Sequence, residues 1–323
     1  MSMFDQQQGA PTVVIAMGGH AFIQPGEKGT PDEQSANARH ICEQIMTLVE
    51  RGYNLVITHG NGPQVGTLMR LNELAGAPVP PPPLDMLVAQ TEGSLGYMLQ
   101  RALLNELRIR GIERFVVTVV TQVVVDRQDP AFDKPTKPVG RFLTEAEAKQ
   151  RRNDYGWVIK EDPQRGWRRV VPSPRPKKVI QRDMIREAAQ ASHIVVAAGG
   201  GGIPVVKSES GDHVGIEGVI DKDLTSAVLA TDVEAELLII LTAVDRVFVN
   251  FGTPEQRALG AVTMSECERL IAEDHFPAGS MGPKVEAIHG FLKRGGRRGL
   301  ITSADKLLAA LDGAAGTHFV GRL

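Results

Sequence analysis

The stretch NLVITHGNGP at residues 54–63 holds the pattern that repeats through the chain. Asn54 to Thr58 is a short run of apolar and β-branched residues with no polar alternation, the mark of a strand buried on both faces. It runs straight into His59-Gly60-Asn61-Gly62-Pro63. Thr12 to Met17 (TVVIAM) has the same character and ends on Gly18-Gly19, and Ile194 to Ala198 ends on Gly199 to Gly202. Phe115 to Val120, Leu237 to Leu241 and Gly299 to Thr302 complete the strand candidates. Between them lie helical patterns. Thr30-Pro31-Asp32-Glu33 offers a capping box with proline at the first helical position, and Ile41, Ile45, Leu48 and Val49 follow at helical spacing until Gly52. Further helices are expected over Thr91 to Leu107, Asp223 to Ala230, Ser265 to Ala272 and Pro283 to Lys293. Apolar strands alternating with helices predict an α/β fold, a parallel sheet covered on both faces.

The chain has 323 residues, with 36 Lys+Arg against 38 Asp+Glu and a net charge of −2. This balance argues against a nucleic-acid partner, which calls for a basic footprint. No apolar run reaches membrane-spanning length, and the N-terminus lacks a basic region followed by an apolar stretch. Cys42 and Cys267 are too few and too far apart for a disulfide framework or a zinc site. A cytoplasmic protein without disulfides is the expectation. Two segments depart from the alternation. Pro78 to Pro83 (PVPPPP) reads as a stiff extended connection. From about Asp126 to Ser173 the chain is rich in charge and proline, holds both tryptophans (Trp157, Trp167) and lacks a long buried strand. It reads as an insert projecting from a single domain.

In an open parallel sheet, ligands sit beyond the carboxyl ends of the strands. Three strands here end in glycines, which let the backbone approach a ligand and turn its N–H groups toward an anion. One such loop is commonly just a turn. Three together favour a phosphate or carboxylate site. Two familiar motifs are absent: Gly201 to Ser208 (GGIPVVKS) has Val206 where a P-loop needs glycine, and Gly60, Gly62 and Gly66 miss the dinucleotide spacing by one residue.

Val219 to Asp223 reads VIDKD at the start of a helix. Asp221 and Asp223 suit the helix dipole and read equally as caps, whereas Lys222 opposes that dipole unless an anion balances it. Gly279-Ser280-Met281-Gly282-Pro283-Lys284 opens a second helix, where exposed amides and the Lys284 cation can meet a phosphate together. Lys137 lies in the insert and, taken alone, is a surface lysine. Phosphoryl transfer needs cations over the equatorial oxygens, a metal and in-line positioning. Glycine loops and several separate lysines supply such a set, and an acceptor that is already an anion needs no general base. His20 and His59 sit beside glycine loops as polar ligands or as strand-end residues bonding the backbone, the latter favoured for His59.

MGGHA at 17–21, THGNGPQVG at 58–66, LTEAEAK at 143–149, KEDPQRGWRRVVPSPRP at 160–176, GGGGIPV at 199–205, VIDKD at 219–223, LTAVD at 241–245 and GSMGPK at 279–284 together resemble the carbamate kinases of the amino acid kinase superfamily. The resemblance runs from about Val13 to the C-terminus. It implies a three-layer αβα sandwich around a mainly parallel eight-stranded sheet, with a small projecting subdomain over the substrate site, and a homodimer. It implies reversible transfer between carbamoyl phosphate with MgADP and carbamate with MgATP, working toward ATP, with Mg2+ accompanying the nucleotide. Carried over by position, Gly18, Gly19, His20, Gly60, Asn61, Gly62 and Gly201 would line the carbamoyl phosphate site, with Lys137 reaching down from the insert. Lys222 and Lys284 would span the transferring phosphoryl and the nucleotide phosphates, with Asp223 orienting the lysines. Thr242, Val244 and Asp245, with Gly279 and Met281, would flank the nucleotide. No protein side chain is assigned to the metal.

One position departs from the family pattern: its first loop reads Gly-Gly-Asn-Ala, and His20 stands at the asparagine. Neutral imidazole offers one donor and one acceptor in a different shape, and imidazolium offers two donors. This leaves open a kinase of the same fold acting on another small carboxylate or carbamate-like anion. A catalytically silent nucleotide or carbamoyl phosphate sensor is the reading from another class. The joint retention of Lys137, Lys222, Asp223 and Lys284 speaks against it.

Overall fold

A computed structural model describes residues 10–75, 80–163, 165–277 and 279–321. All six residues of the strand Thr12–Met17 are buried. It pairs in parallel with Leu237–Leu241 on one side and Asn54–His59 on the other, with Ile15 opposite both Ile239 and Ile57. The whole sheet has eight strands, in the order Ala261–Thr263, Thr317–Val320, Arg298–Thr302, Leu237–Leu241, Thr12–Met17, Asn54–His59, Ile194–Ala197, Val116–Val119. Every neighbouring pair is parallel except Arg298–Thr302 with Thr317–Val320.

Side chains alternate across this sheet although both faces are apolar. Val13, Ile15 and Met17 pack with Ile41, Ile45, Leu95 and Leu99 of the helices Pro31–Glu50 and Leu84–Arg110. Val14 and Ala16 face the other way, into a core with Ile185, Ala227, Leu229, Ile288 and Phe291. Those residues come from the helices Arg182–Gln190, Lys222–Asp232 and Met281–Lys293. Helix, sheet and helix form three layers. The predicted capping box is present: Thr30 Oγ1 accepts the Glu33 N–H, and Glu33 accepts the Thr30 N–H at 2.8 Å.

Several elements differ from the sequence expectation. Helix Leu84–Arg110 starts seven residues before the expected Thr91: Pro83 stands at its N-cap, and its apolar face begins at Leu84. A helix over Gly62–Ala75 grows directly out of the glycine loop, which a glycine and a proline in its first turn had disguised. A second sheet of four short strands, in the order His213–Gly215, Ile203–Lys207, Gln122–Val125, Pro176–Val179, lies beyond the main one. GGIPVVKS thus leads into a strand rather than a helix. Of the proline run, residues 78 and 79 fall outside the described residues; Pro83 ends it as a helix cap.

Gln122–Val125 and Pro176–Val179 pair with each other and bracket the 126–173 segment. Within that segment the strands Lys137–Leu143, Gly166–Val171 and Ile159–Asp162 form an antiparallel sheet, with the helix Glu145–Tyr155 beside it. Leu143, Ala148 and Ile159 make a small core of their own, with Trp157 and Trp167 against it. At its root Val139 and Val171 join Val65, Met69, Leu84 and Leu87 of the main body.

Candidate functional site

Because the strands ending at Met17, His59, Ala197 and Leu241 are adjacent and parallel, the residues after them emerge along one edge of the sheet. The loops touch. Gly60 donates its N–H to Met17 O at 3.0 Å, and a Cβ on Gly60 would stand 3.0 Å from Gly19 N and 3.2 Å from Gly19 Cα. Gly18 lies beside Leu241 O, so the first loop bridges its neighbours on both sides. In the third loop Gly200, Gly201 and Gly202 have φ of 68°, 100° and 84°, which only glycine adopts without strain. A Cβ on Gly200 would overlap the Asn61 amide, and one on Gly201 the Ile220 carbonyl. Asn61 is buried, and its Nδ2 donates to Thr91 Oγ1 at 2.8 Å. The His20 backbone lies in the short turn Gly19–Ala21, while its side chain is outside the described residues.

The lysines converge on the first turn of the helix Lys222–Asp232. Asp221 is its N-cap, accepting the Asp223 N–H on Oδ1 at 3.0 Å. Its other oxygen accepts from Lys137 Nζ at 2.9 Å, so the insert reaches the main body here. Asp223 is 3 % exposed, yet each of its oxygens is taken: Oδ1 by Lys222 Nζ and Oδ2 by Lys284 Nζ at 3.0 Å. Burial pushes the Asp223 carboxyl up, but the two ammonium groups outweigh it and hold it below the usual carboxylate range. The cost of a lysine at a helix N-terminus is thus offset by its own neighbour. Three ammonium groups from three elements surround two carboxylates, an excess of positive charge at the positive end of a helix.

The helix is fastened to the loops from below. Thr225 Oγ1 donates to Gly201 O at 2.8 Å, and Ser226 Oγ lies 2.6 Å from Thr58 Oγ1. His59 is buried, with Nδ1 3.1 Å from Gly60 O, the strand-end role favoured from sequence. Burial lowers its pKa to about 4, opposed by the Gly60 carbonyl and aided by the Lys222 charge, so the ring is neutral at pH 7.

The residues expected around the nucleotide are more scattered. Thr242 follows the strand Leu237–Leu241 and donates its N–H to Thr302 O at 2.9 Å. Val244 is half-buried, and exposed Asp245 accepts from Ser303 Oγ at 2.5 Å. Gly279 is exposed with φ 79°, and Met281 opens the helix that carries Lys284 and packs against the core. Among the described residues, no hydrogen bond or ion pair joins Thr242, Val244 or Asp245 to the lysine cluster. No group of three acidic, imidazole or thiol ligands forms a metal site among the described residues.

Sequence reasoning passed over Thr91, Glu92 and Thr121. Thr91 and Glu92 sit on the buried face of the helix Leu84–Arg110 among Leu87, Val88 and Leu95. A carboxylate at an apolar helical position was the available signal. Thr121 Oγ1 accepts the Ala198 N–H at 2.9 Å and Thr121 O the Ile203 N–H at 2.8 Å, closing both ends of the glycine loop.

Comparison with known proteins places this geometry in a lineage. Residues 11–303 match the amino acid kinase family. The carbamate kinase of Pyrococcus horikoshii is 50 % identical over 95 % of this chain and 98 % of its own. A carbamate kinase-like protein of Escherichia coli is 42 % identical over 95 % of this chain and 98 % of its own. The structure of Giardia lamblia carbamate kinase bound to AMP-PNP superposes with a TM-score of 0.91 at 40 % identity, covering 97 % of this chain and 99 % of that one. The chain therefore belongs to the amino acid kinase family, and within it to the carbamate kinases.

Proposed function

We propose that the chain transfers a phosphoryl group reversibly between carbamoyl phosphate and ADP, giving carbamate and ATP. The observation that carries this is the convergence of Lys137, Lys222 and Lys284 on Asp221 and Asp223, beside three touching glycine loops. Lys222 and Lys284 neutralise the charge that spreads over the transferring phosphoryl, and Asp223 holds them apart at fixed positions. The loops of Gly18, Gly19, Gly60, Gly62 and Gly201, with the Asn61 side chain, line and orient the carbamoyl end. Lys137 exchanges Asp221 for the substrate phosphate. Carbamate attacks as an anion, so no general base is required. Thr242 to Asp245, Gly279 and Met281 flank the nucleotide.

The nucleotide enters as its magnesium complex, the metal being part of the substrate. Both Asp223 oxygens are engaged by lysines, which suits a metal held by phosphate oxygens and water rather than by this carboxylate. The same reading makes the protein a cytoplasmic homodimer. The unpaired, buried Cys42 and Cys267 suit a reducing compartment.

The test is ATP formation from MgADP and fresh carbamoyl phosphate, with acetyl phosphate as comparator. Removing the Lys222 cation in Lys222→Ala is expected to cost on the order of 10²–10⁴ in turnover. A loss of tenfold or less would take that lysine out of the transfer step. His20 favours one second reading, an altered small carboxylate acceptor, which predicts ATP formation from another acyl phosphate instead.

A further inference from the structure

Glu92 is 1 % exposed, on the face of the helix Leu84–Arg110 that lies beneath the glycine loops. Its Oε2 accepts the Thr121 N–H at 2.8 Å, and the Gly199 N–H also faces the carboxyl group. Oε1 is enclosed and has no hydrogen-bond partner among the described residues. The other titratable group facing it is His59: its Nε2 would lie 2.6 Å, and Glu92 Cγ 3.1 Å, from a Cβ on Gly199. Lys222 stands beyond, close enough to act on the His59 ring, and among the described residues no cation pairs with Glu92. An ionised carboxylate here would leave charge on an oxygen with no donor, in a site closed to water. A carboxylic acid has one carbonyl oxygen to accept amide hydrogens and one hydroxyl, and it matches this asymmetry.

The preceding residue works on the other loop. Thr91 accepts from Asn61 and passes its own hydroxyl hydrogen to Val88 O at 2.7 Å. One helical turn therefore holds both Asn61 of the second loop and Gly199 of the third.

We propose that Glu92 is a positioning residue that acts as a neutral carboxylic acid, anchoring the third glycine loop through Thr121 and Gly199 so that the carbamoyl end of the substrate is bound in register. The assignment of substrate rests on the function proposed above. Burial raises the Glu92 carboxyl well above the usual range, against the pull of the Thr121 and Gly199 amides. The stability this neutral form confers is complete below the ordinary carboxylate range and is lost as pH rises through the raised folded value.

Three readouts test it. The infrared spectrum of the whole protein at pH 7 should show a protonated-carboxyl stretch that Glu92→Gln removes. Thermal midpoints of Glu92→Gln and of the unaltered protein should diverge in favour of the variant as pH rises above the carboxylate range. In the ATP-forming assay Glu92→Ala should raise KM for carbamoyl phosphate by about tenfold or more, with KM for MgADP little changed and Glu92→Gln restoring it. An absent stretch, or midpoints that stay parallel, would overturn the neutral acid. Failure of Glu92→Gln to restore KM would overturn the positioning role. If the unaltered protein makes no ATP, the function proposed above fails, while the infrared and thermal results still decide the state of Glu92.

Discussion

His59 lies inside the protein in a T-shaped contact with the Phe22 ring, their centroids 5.6 Å apart. Since Gly60 O can only accept, Nδ1 carries the proton of the neutral ring. Folding holds this imidazole neutral down to about 4, against an ordinary value of 6.5. The unfolded chain binds the proton first, so the contribution is present above the ordinary value and is lost as pH falls through the folded one. The shift corresponds to about 3 kcal/mol. Urea unfolding at pH 7 and at pH 4.5, compared between the unaltered protein and His59→Gln, should show the unaltered protein losing about 2–3 kcal/mol more over that interval. Parallel losses would mean that the ring is not kept neutral. At this scale the sequence was legible where charge stands out of place. Lys222 at a helix start and Lys284 after a glycine turn declared themselves, and both meet Asp223. Glu92 did not, because burial of a carboxylate depends on the loops that close over it from residues 121 and 199.

Among the elements, the third glycine loop is the most tightly specified. Gly201 has φ 100°, and a side chain there would strike the Ile220 carbonyl, a backbone atom that cannot swing aside. Gly211 has a similar φ of 92° but nothing within 4 Å of its would-be Cβ. Alanine at 211 therefore isolates the backbone strain, of order 1–3 kcal/mol. Alanine at 201 adds the overlap and displaces the loop that Thr225 holds at 2.8 Å. Gly201→Ala is expected to lose about 2 kcal/mol more than Gly211→Ala in urea unfolding, with carbamoyl phosphate turnover falling only in the former. Equal costs would show that the loop has room to move. The strands of the main sheet could be read from sequence because each is a run of apolar residues buried on two faces. The helix Gly62–Ala75 could not, since Gly62, Pro63 and Gly66 in its first turns all weaken a helical reading. The strands of the second sheet are equally hidden: His213–Gly215 is three exposed residues folded back on Ile203–Lys207, whose other neighbour is the sequence-distant Gln122–Val125.

For the molecule as a whole, the alternation of strands and helices conveyed the layered sheet, while the partner surface depends on how the last strand is left. Val116–Val119 ends the eight-stranded sheet, paired on one side only with Ile194–Ala197. Phe115 is 73 % exposed, and Val117 and Val120 are exposed with it. The helix Leu84–Arg110 crosses the strand so closely at Thr118 that Gly96 has no room for a side chain, and Tyr97 and Leu104 of that helix are exposed. An unpaired edge beside apolar side chains is an aggregation hazard unless something covers it. A second copy related by a two-fold axis would pair the two edges and bury both sets of side chains, the isologous arrangement most homodimers adopt. Sedimentation equilibrium should therefore give a dimer, and the double substitution Phe115→Asp with Val117→Lys should give a monomer with unchanged far-ultraviolet circular dichroism. A dimer that survives both changes would place the interface elsewhere on the molecule. The candidate site lies at the carboxyl ends of the central strands, with all three lysines supplied by one chain. The monomeric variant is accordingly expected to keep turnover within about threefold, any larger loss reporting that the interface stiffens the helix bearing Thr91 and Glu92.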